Sequence, residues 1–234
     1  IACWKFIDPI IRAWRKDKTP IAIYKKGEYP VKGAPEKGAP EEADKEAKSR
    51  YVKKEIGIIG LGKMGGNIAL RLRENEWNMA GFDPGNVSEE IRSNVLLVPQ
   101  IQDLAEKLPV PRILLLMVPA GDLIDTLLFG KEGIGELLKK GDIVIDGGNS
   151  FYKDSIRRSH KLKQKGVYFF DMGVSGGPEG AKKGACIMVG GEEAIFKKIE
   201  YLFEDLALSG GYAYVGKSGA GHFVKMVHNG IEYG

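Results

Sequence analysis

The stretch Ile56-Gly-Ile-Ile-Gly-Leu-Gly-Lys-Met-Gly-Gly-Asn67 decides the fold. Its apolar run Ile56–Ile59 reads as a short buried strand, and Asn67-Ile-Ala-Leu-Arg-Leu-Arg73 carries a helical pattern. Between them Gly60, Gly62 and Gly65 stand in G-x-G-x-x-G spacing. In a strand–turn–helix setting the first glycine allows the tight turn and the second lets backbone approach a pyrophosphate. The third lets helix and strand pack closely. The helix N-terminus adds free N–H groups and the positive end of a dipole. The stretch therefore predicts a dinucleotide site, with contacts from Gly60, Gly62, Lys63, Met64 and Gly65.

From Ile56 onward, strand-like and helix-like patterns alternate, which implies a parallel sheet with crossover helices. Strands are expected at 56–60, 78–82, 95–98, 112–118, 142–146, 167–171, 185–189 and 212–215. Helices are expected near 65–75, 100–107, 121–128, 153–165, 192–204 and 219–233. Ile113-Leu-Leu-Leu-Met-Val118 is uniformly apolar, as suits a strand covered on both faces. The predicted class is α/β: a Rossmann-like, doubly wound, mostly parallel sheet, preceded by a short helical segment and a flexible linker.

The 234 residues suffice for one sizeable core with appendages. A net charge of +4, with Lys and Glu interleaved, favours small anionic ligands over a nucleic-acid surface. Cys3 and Cys186 make neither a disulfide framework nor a metal-ligand spacing, so no metal is expected and a reducing, cytoplasmic setting fits. No apolar run approaches the ~20 residues of a membrane span, and no signal-peptide layout is present at the N-terminus.

Three units follow from composition. In residues 1–31, Asp8-Pro9 reads as an N-cap with proline at N1, leading a short helix whose apolar side holds Ile10, Ile11 and Trp14. Residues 32–54 open with the near-repeat Lys32-Gly-Ala-Pro-Glu-Lys-Gly-Ala-Pro-Glu41 and continue in charge and alanine, the composition of a mobile spacer. Residues 55–234 hold the dinucleotide domain.

Several residues outside the glycine loop carry chemistry. Asp83 ends the second strand, 23 residues after Gly60, where a carboxylate accepts hydrogen bonds from a ribose diol and repels a 2′-phosphate. The following Pro84-Gly-Asn-Val87 supplies no arginine, so NAD is expected in preference to NADP. Val118-Pro119-Ala-Gly121 and Asp146-Gly-Gly-Asn149-Ser150 follow strand ends, where ligands of open α/β sheets sit. Val118, Pro119 and Asn149 are thus candidate cofactor contacts. Ser175, with the N–H groups of Gly176 and Gly177, could wall a carboxylate or hydroxyl. No G-x-S-x-G elbow surrounds that serine, which argues against a hydrolase. In the last helix Phe223, Met226, Val227 and Ile231 share one face. Lys225, His228, Asn229 and Glu232 share the other at i, i+3, i+4 and i+7. That stripe reads either as a solvated face or as a lining for a small polyhydroxy acid, with a lysine base and a carboxyl acid.

Two family resemblances extend this reading. Trp4-Lys-Phe-Ile-Asp-Pro-Ile-Ile-Arg-Ala-Trp14, then Tyr24-Lys-Lys-Gly27 and Pro40-Glu-Glu-Ala-Asp44, resembles the C-terminal end of glucose-6-phosphate dehydrogenase, with Gly-Glu-Tyr-Pro in place of that tail's Gly-Trp-Gly-Pro. The glycine loop, Asp146-Gly-Gly-Asn149, Ser175-Gly-Gly177 and Lys225-Met-Val-His-Asn-Gly-Ile-Glu-Tyr233 resemble the decarboxylating 6-phosphogluconate dehydrogenases over 55–234. That second resemblance implies Lys225 as the base at the 3-hydroxyl and Glu232 as the acid that protonates the enediol formed by decarboxylation. It also implies substrate contacts from Asn149, Ser175, Gly176, Gly177, His228, Asn229 and Tyr233. The family continues into a helical domain completing pocket and homo-oligomer, so this chain alone is expected to bind dinucleotide and turn over poorly. A different β-hydroxyacid dehydrogenase, such as one for 3-hydroxyisobutyrate, and a non-catalytic NAD-binding module remain as alternatives.

Overall fold

A computed structural model describes residues 53–233. The expected helical segment 1–31, the linker up to residue 52 and the first of the two resemblances lie outside them.

The elements in chain order are β1 (Glu55–Ile59), α1 (Lys63–Glu74), β2 (Asn78–Phe82), α2 (Glu89–Arg92) and β3 (Leu96–Leu97). A 3-10 turn (Ile101–Asp103) and α3 (Leu104–Lys107) lead to β4 (Ile113–Leu116), α4 (Asp122–Phe129), β5 (Ile143–Asp146) and α5 (Tyr152–Gln164). Then come β6 (Tyr168–Ser175), α6 (Gly177–Lys183), β7 (Ala185–Gly190), α7 (Glu193–Leu206), β8 (Ala207–Gly216) and α8 (Ala220–Tyr233). The strands form one sheet in the order β3-β2-β1-β4-β5-β6-β7-β8. All neighbouring pairs are parallel except β6 with β7. This is a Rossmann-like α/β fold whose order reverses between β1 and β4.

Alternation along the strands sorts the side chains into two buried layers. Ile56, Ile58, Ile113, Leu115, Ile143, Ile145, Phe170 and Met172 face α1 and α7. Ile59, Leu114, Leu116, Val144 and Phe169 face α4 and the end of α5. Helix α7 shows why such a segment must be helical. Its buried residues Ile195, Phe196, Ile199, Leu202, Phe203 and Leu206 recur at one stripe of a 3.6-residue period. Each fully buried chain of that kind contributes about 1.5–3 kcal/mol of transfer free energy.

The structure corrects several expectations. Strand β6 runs on through Ser175, so that serine sits in the sheet and not in a loop after Asp171. Helix α6 is hidden in the sequence because Gly-Gly-Pro-Glu-Gly reads as a turn, although Pro178 suits a helix's first turn. Short α2 is also absent from the expected helices. Strand β8 begins at Ala207 despite the turn-like Ser209-Gly-Gly211. The 100–107 helix is a 3-10 turn joined to a four-residue helix. In α8 the face of Phe223, Met226, Val227 and Ile231 is only partly covered: Met226 and Ile231 are 45% and 52% exposed, whereas Ala220, His222 and Val224 are buried. Glycine-mediated packing, described below, turns the helix that way.

Candidate active site

The glycine loop closes on itself for steric reasons. Gly60 has φ +91°, a conformation that side chains disfavour, and a Cβ there would stand 2.5 Å from the Met117 carbonyl oxygen. A Cβ on Gly65 would collide with the Gly60 carbonyl. Gly62 differs: among the described residues nothing lies within 4 Å of where its Cβ would be. Protein packing does not demand a glycine there, and the open space fits the close approach of a pyrophosphate. Helix α1 starts directly after it with no side-chain cap and no acidic residue in its first turn. Its leading N–H groups are therefore free of side-chain competition for an anion. Asp83 braces the loop. Its Oδ2 accepts from the Leu61 N–H at 2.6 Å and its Oδ1 from the Gly85 N–H at 2.7 Å.

A cleft of about 580 Å³ opens beyond the carboxyl ends of β4, β5 and β6. Met64 and Val118 wall the side next to the glycine loop, with Asn149 from the loop after β5. Ser175, Gly176 and Gly177 come from the end of β6 and the start of α6. Lys225, Asn229 and Glu232 come from α8. Met117, Gly147, Gly148 and Val174 complete the wall. Of the remaining predicted residues, Gly60, Gly62, Lys63, Gly65, Asp83 and Pro119 lie off this wall, around the glycine loop and after β4. His228 also stands off it, with Nδ1 3.4 Å from Glu232 Oε2 and no hydrogen bond formed. Tyr233 ends α8. Asn229 Oδ1 is buried without a hydrogen-bond partner among the described residues, an acceptor beside the cleft.

Buried charges hold this wall in place. Asp146 and Asp171 are register partners on β5 and β6, and both are fully buried. Asp146 accepts from the Gly148 N–H at 3.1 Å and the Ser150 hydroxyl at 2.8 Å, fixing the loop that presents Asn149. The buried Arg158 guanidinium lies 3.6 Å from it and donates to the Gly121 carbonyl and to Asp125. Asp125 also pairs with Arg157, whose hydrogen bonds hold its carboxyl down at about 2. Asp171 accepts from the Gly219 and His222 N–H groups at 2.5 and 2.8 Å. Burial pushes its carboxyl up from the ordinary range, while His222 and those two amides pull the other way. His222 is itself buried, with Nδ1 2.8 Å from Ser155 Oγ and Nε2 without a hydrogen-bond partner among the described residues.

The glycine-loop helix and the Ser175–Gly177 side of the cleft are joined directly. Asn67 in α1 donates through Nδ2 to the Pro178 carbonyl of α6 at 2.9 Å. The Ser175–Gly177 wall thus rests on the dinucleotide helix.

Known proteins resemble this domain in sequence and fold. Residues 55–216 match the family described as the NAD binding domain of 6-phosphogluconate dehydrogenase. This chain belongs to that family. It is 40% identical over 195 residues to the decarboxylating 6-phosphogluconate dehydrogenase of Haemophilus influenzae, covering 78% of this chain and 40% of that protein. A Bacillus subtilis relative, YqeC, provisionally named a 6-phosphogluconate dehydrogenase, is 43% identical over 182 residues, covering 77% of this chain and 60% of its own length. The chain therefore spans about two fifths to three fifths of these relatives. Plasmodium falciparum 6-phosphogluconate dehydrogenase superposes with a TM-score of 0.68 at 33% identity, over 76% of this chain and 40% of that one. Mycobacterium tuberculosis 3-hydroxyisobutyrate dehydrogenase superposes as well, at 0.67 and 23% identity over 77% of this chain and 60% of that one, a likeness of fold. The family domain thus binds NAD(P) and belongs to an oxidoreductase.

Sequence reasoning assigns no role to Asp146, Asp171, Arg158 or His222. An aspartate at the end of an apolar run, as in Tyr168-Phe-Phe-Asp171, is the one signal that could flag a buried charge. Its partners lie 48 and 51 residues away, beyond local patterning.

Proposed function

We propose that the chain supplies the dinucleotide site and the proton-transfer groups for oxidative decarboxylation of 6-phosphogluconate to ribulose 5-phosphate. The observation that carries this reading is the convergence of Lys225, Asn229 and Glu232 with Asn149 and Ser175 on one cleft beside the glycine loop. A dinucleotide bound there would supply the hydride acceptor. Lys225 takes the proton of the substrate's 3-hydroxyl, and Glu232 returns a proton to the enediol left by loss of carbon dioxide. Asn149, Ser175, the Gly176 and Gly177 N–H groups, His228, Asn229 and Tyr233 orient the substrate's hydroxyls and carboxylate. NAD is the preferred cofactor, because the Asp83 carboxylate at the end of β2 opposes a 2′-phosphate. The same reading puts the protein in the cytoplasm, as residues 55–234 of a homo-oligomeric enzyme, joined through 32–54 to the tail of a glucose-6-phosphate dehydrogenase.

The test is formation of reduced nicotinamide from 6-phosphogluconate, by the chain and by a longer protein bearing it. Lys225→Ala is expected to lower turnover about a thousandfold with dinucleotide affinity unchanged. Turnover of unphosphorylated 3-hydroxy acids but not of 6-phosphogluconate would move the substrate to the 3-hydroxyisobutyrate type. Tighter NADP than NAD binding by the wild-type chain, unchanged in Asp83→Ala, would overturn the cofactor preference.

A further inference from the structure

The placement of α8, which brings Lys225 to the cleft, has a cause in the strand beneath it. The helix N-terminus begins with open N–H groups, as every helix does. Here two of the amides in that turn, Gly219 and His222, are directed at one carboxylate, Asp171, on the neighbouring β6. In this fully buried setting each of these bonds also spares an N–H from standing unpaired. The helix then lies down on the sheet through glycines. A Cβ on Gly221 would collide with the Asp171 carbonyl, and one on Gly173 would stand 2.6 Å from Lys225 Cβ. Strand β6 thus touches α8 twice, at its anchor and directly under the lysine.

We propose that Asp171 is a positioning residue for Lys225: its buried carboxylate fixes the first turn of α8 on β6 and thereby sets where the lysine amine stands in the cleft. The Ser155–His222 bond steadies the same turn from α5. This rests on the reading of Lys225 as a working group of the cleft, but not on the identity of the substrate. Asp171 itself does not line the cleft, so it acts through the helix.

Asp171→Asn keeps the shape but turns an NH₂ towards one of the two amides, which removes an acceptor and adds a repulsion. In the full chain, backbone amide exchange at Gly219 and His222 should accelerate about tenfold or more. Competitive acetylation with trace acetic anhydride should show a changed pH profile for Lys225, with Lys63 as the internal control. Dinucleotide affinity should stay within about twofold, because the glycine loop lies across the sheet. An unchanged Lys225 profile in a folded Asp171→Asn chain overturns the proposal. If the variant does not fold, wild-type exchange decides: the His222 amide should open only with the whole domain, and rapid local opening overturns the proposal. Should Lys225→Ala leave turnover intact while Asp171→Asn shifts the lysine's profile, the catalytic reading fails and the positioning role stands.

Discussion

The sheet has a concavity at each end, and the two are nearly equal in volume, about 560 Å³ at the amino ends of β1 and β2 and about 580 Å³ at the carboxyl ends of β4 to β6. Their walls differ. The lower one is ringed by the exposed cations Arg73, Arg92 and Lys107 on separate helix ends. The upper one is built from glycine backbone, strand ends and one helix face, with side chains fixed by buried carboxylates. Buried charge at the two ends divides in the same way. At the lower end, Arg112 and Asp142 form a closed set. Arg112 bonds Asp142 through its backbone and Nη1, and the Ala105 carbonyl through Nε and Nη2, while the Lys139 N–H also donates to Asp142. At the upper end, Arg158 Nε and Nη1, His222 Nε2 and Asn229 Oδ1 lack hydrogen-bond partners among the described residues. Satisfied polar burial marks the end that holds the fold together. Incomplete polar burial marks the end that holds a ligand cleft.

That contrast can be broken experimentally. The largest effect is expected at the lower end. Asp142→Ala leaves Arg112 buried and uncompensated and should cost about 3–5 kcal/mol, read by denaturant unfolding. Folded material should keep its dinucleotide affinity, and a selective loss of affinity would erase the distinction between the ends. Next come two glycines of one loop. Gly65→Ala should destabilise by several kcal/mol through its clash with the Gly60 carbonyl. Gly62→Ala should leave unfolding midpoints almost unmoved and weaken NAD by about tenfold or more, as seen by titration calorimetry.

A smaller effect belongs to Asp125 under Arg157 and Arg158. Its folded carboxyl sits at about 2 against an ordinary 3.8, so the unfolded chain binds more protons between those values. Its stabilisation is present above about pH 4 and lost as pH falls towards 2; after solvent screening it amounts to about 1 kcal/mol. Acid unfolding of Asp125→Asn against wild type measures it. Smallest of all, Arg73→Ala with Arg92→Ala should change dinucleotide affinity by less than about twofold. A tenfold loss would mean that the lower concavity takes part in binding.

Much of this is legible in sequence because it is written in short-range patterns. Ile56–Asn67 carries its strand, turn and helix in twelve consecutive residues, and Ile113–Leu116 could hardly be anything but a central strand. What stays hidden depends on distant pairing. The reversal of β7 against β6 is set by the register from Asp171–Gly190 to Ser175–Cys186, which no local period reports. The rotation of α8 escapes for a related reason. Met226 and Ile231 stay out of the core, and Gly173, Gly190 and Gly221 let the side of α8 that holds Ala220 and Val224 lie on the sheet. The cleft residues Lys225, Asn229 and Glu232 emerge from their spacing, whereas the aspartates beneath them do not, since support acts through partners far along the chain.

The way the chain enters β1 has a consequence of its own. Lys54 Nζ bonds the Asn75 carbonyl and pairs at 3.0 Å with Asp205, which also accepts from the Trp77 indole at 2.8 Å. Trp77 is wholly buried and stacks on Tyr201. The polypeptide is therefore riveted to the domain at the foot of the sheet, at the opposite end from the cleft. Chain joined ahead of Lys54 enters the domain beside Asp205 and Trp77, away from the residues that line the cleft.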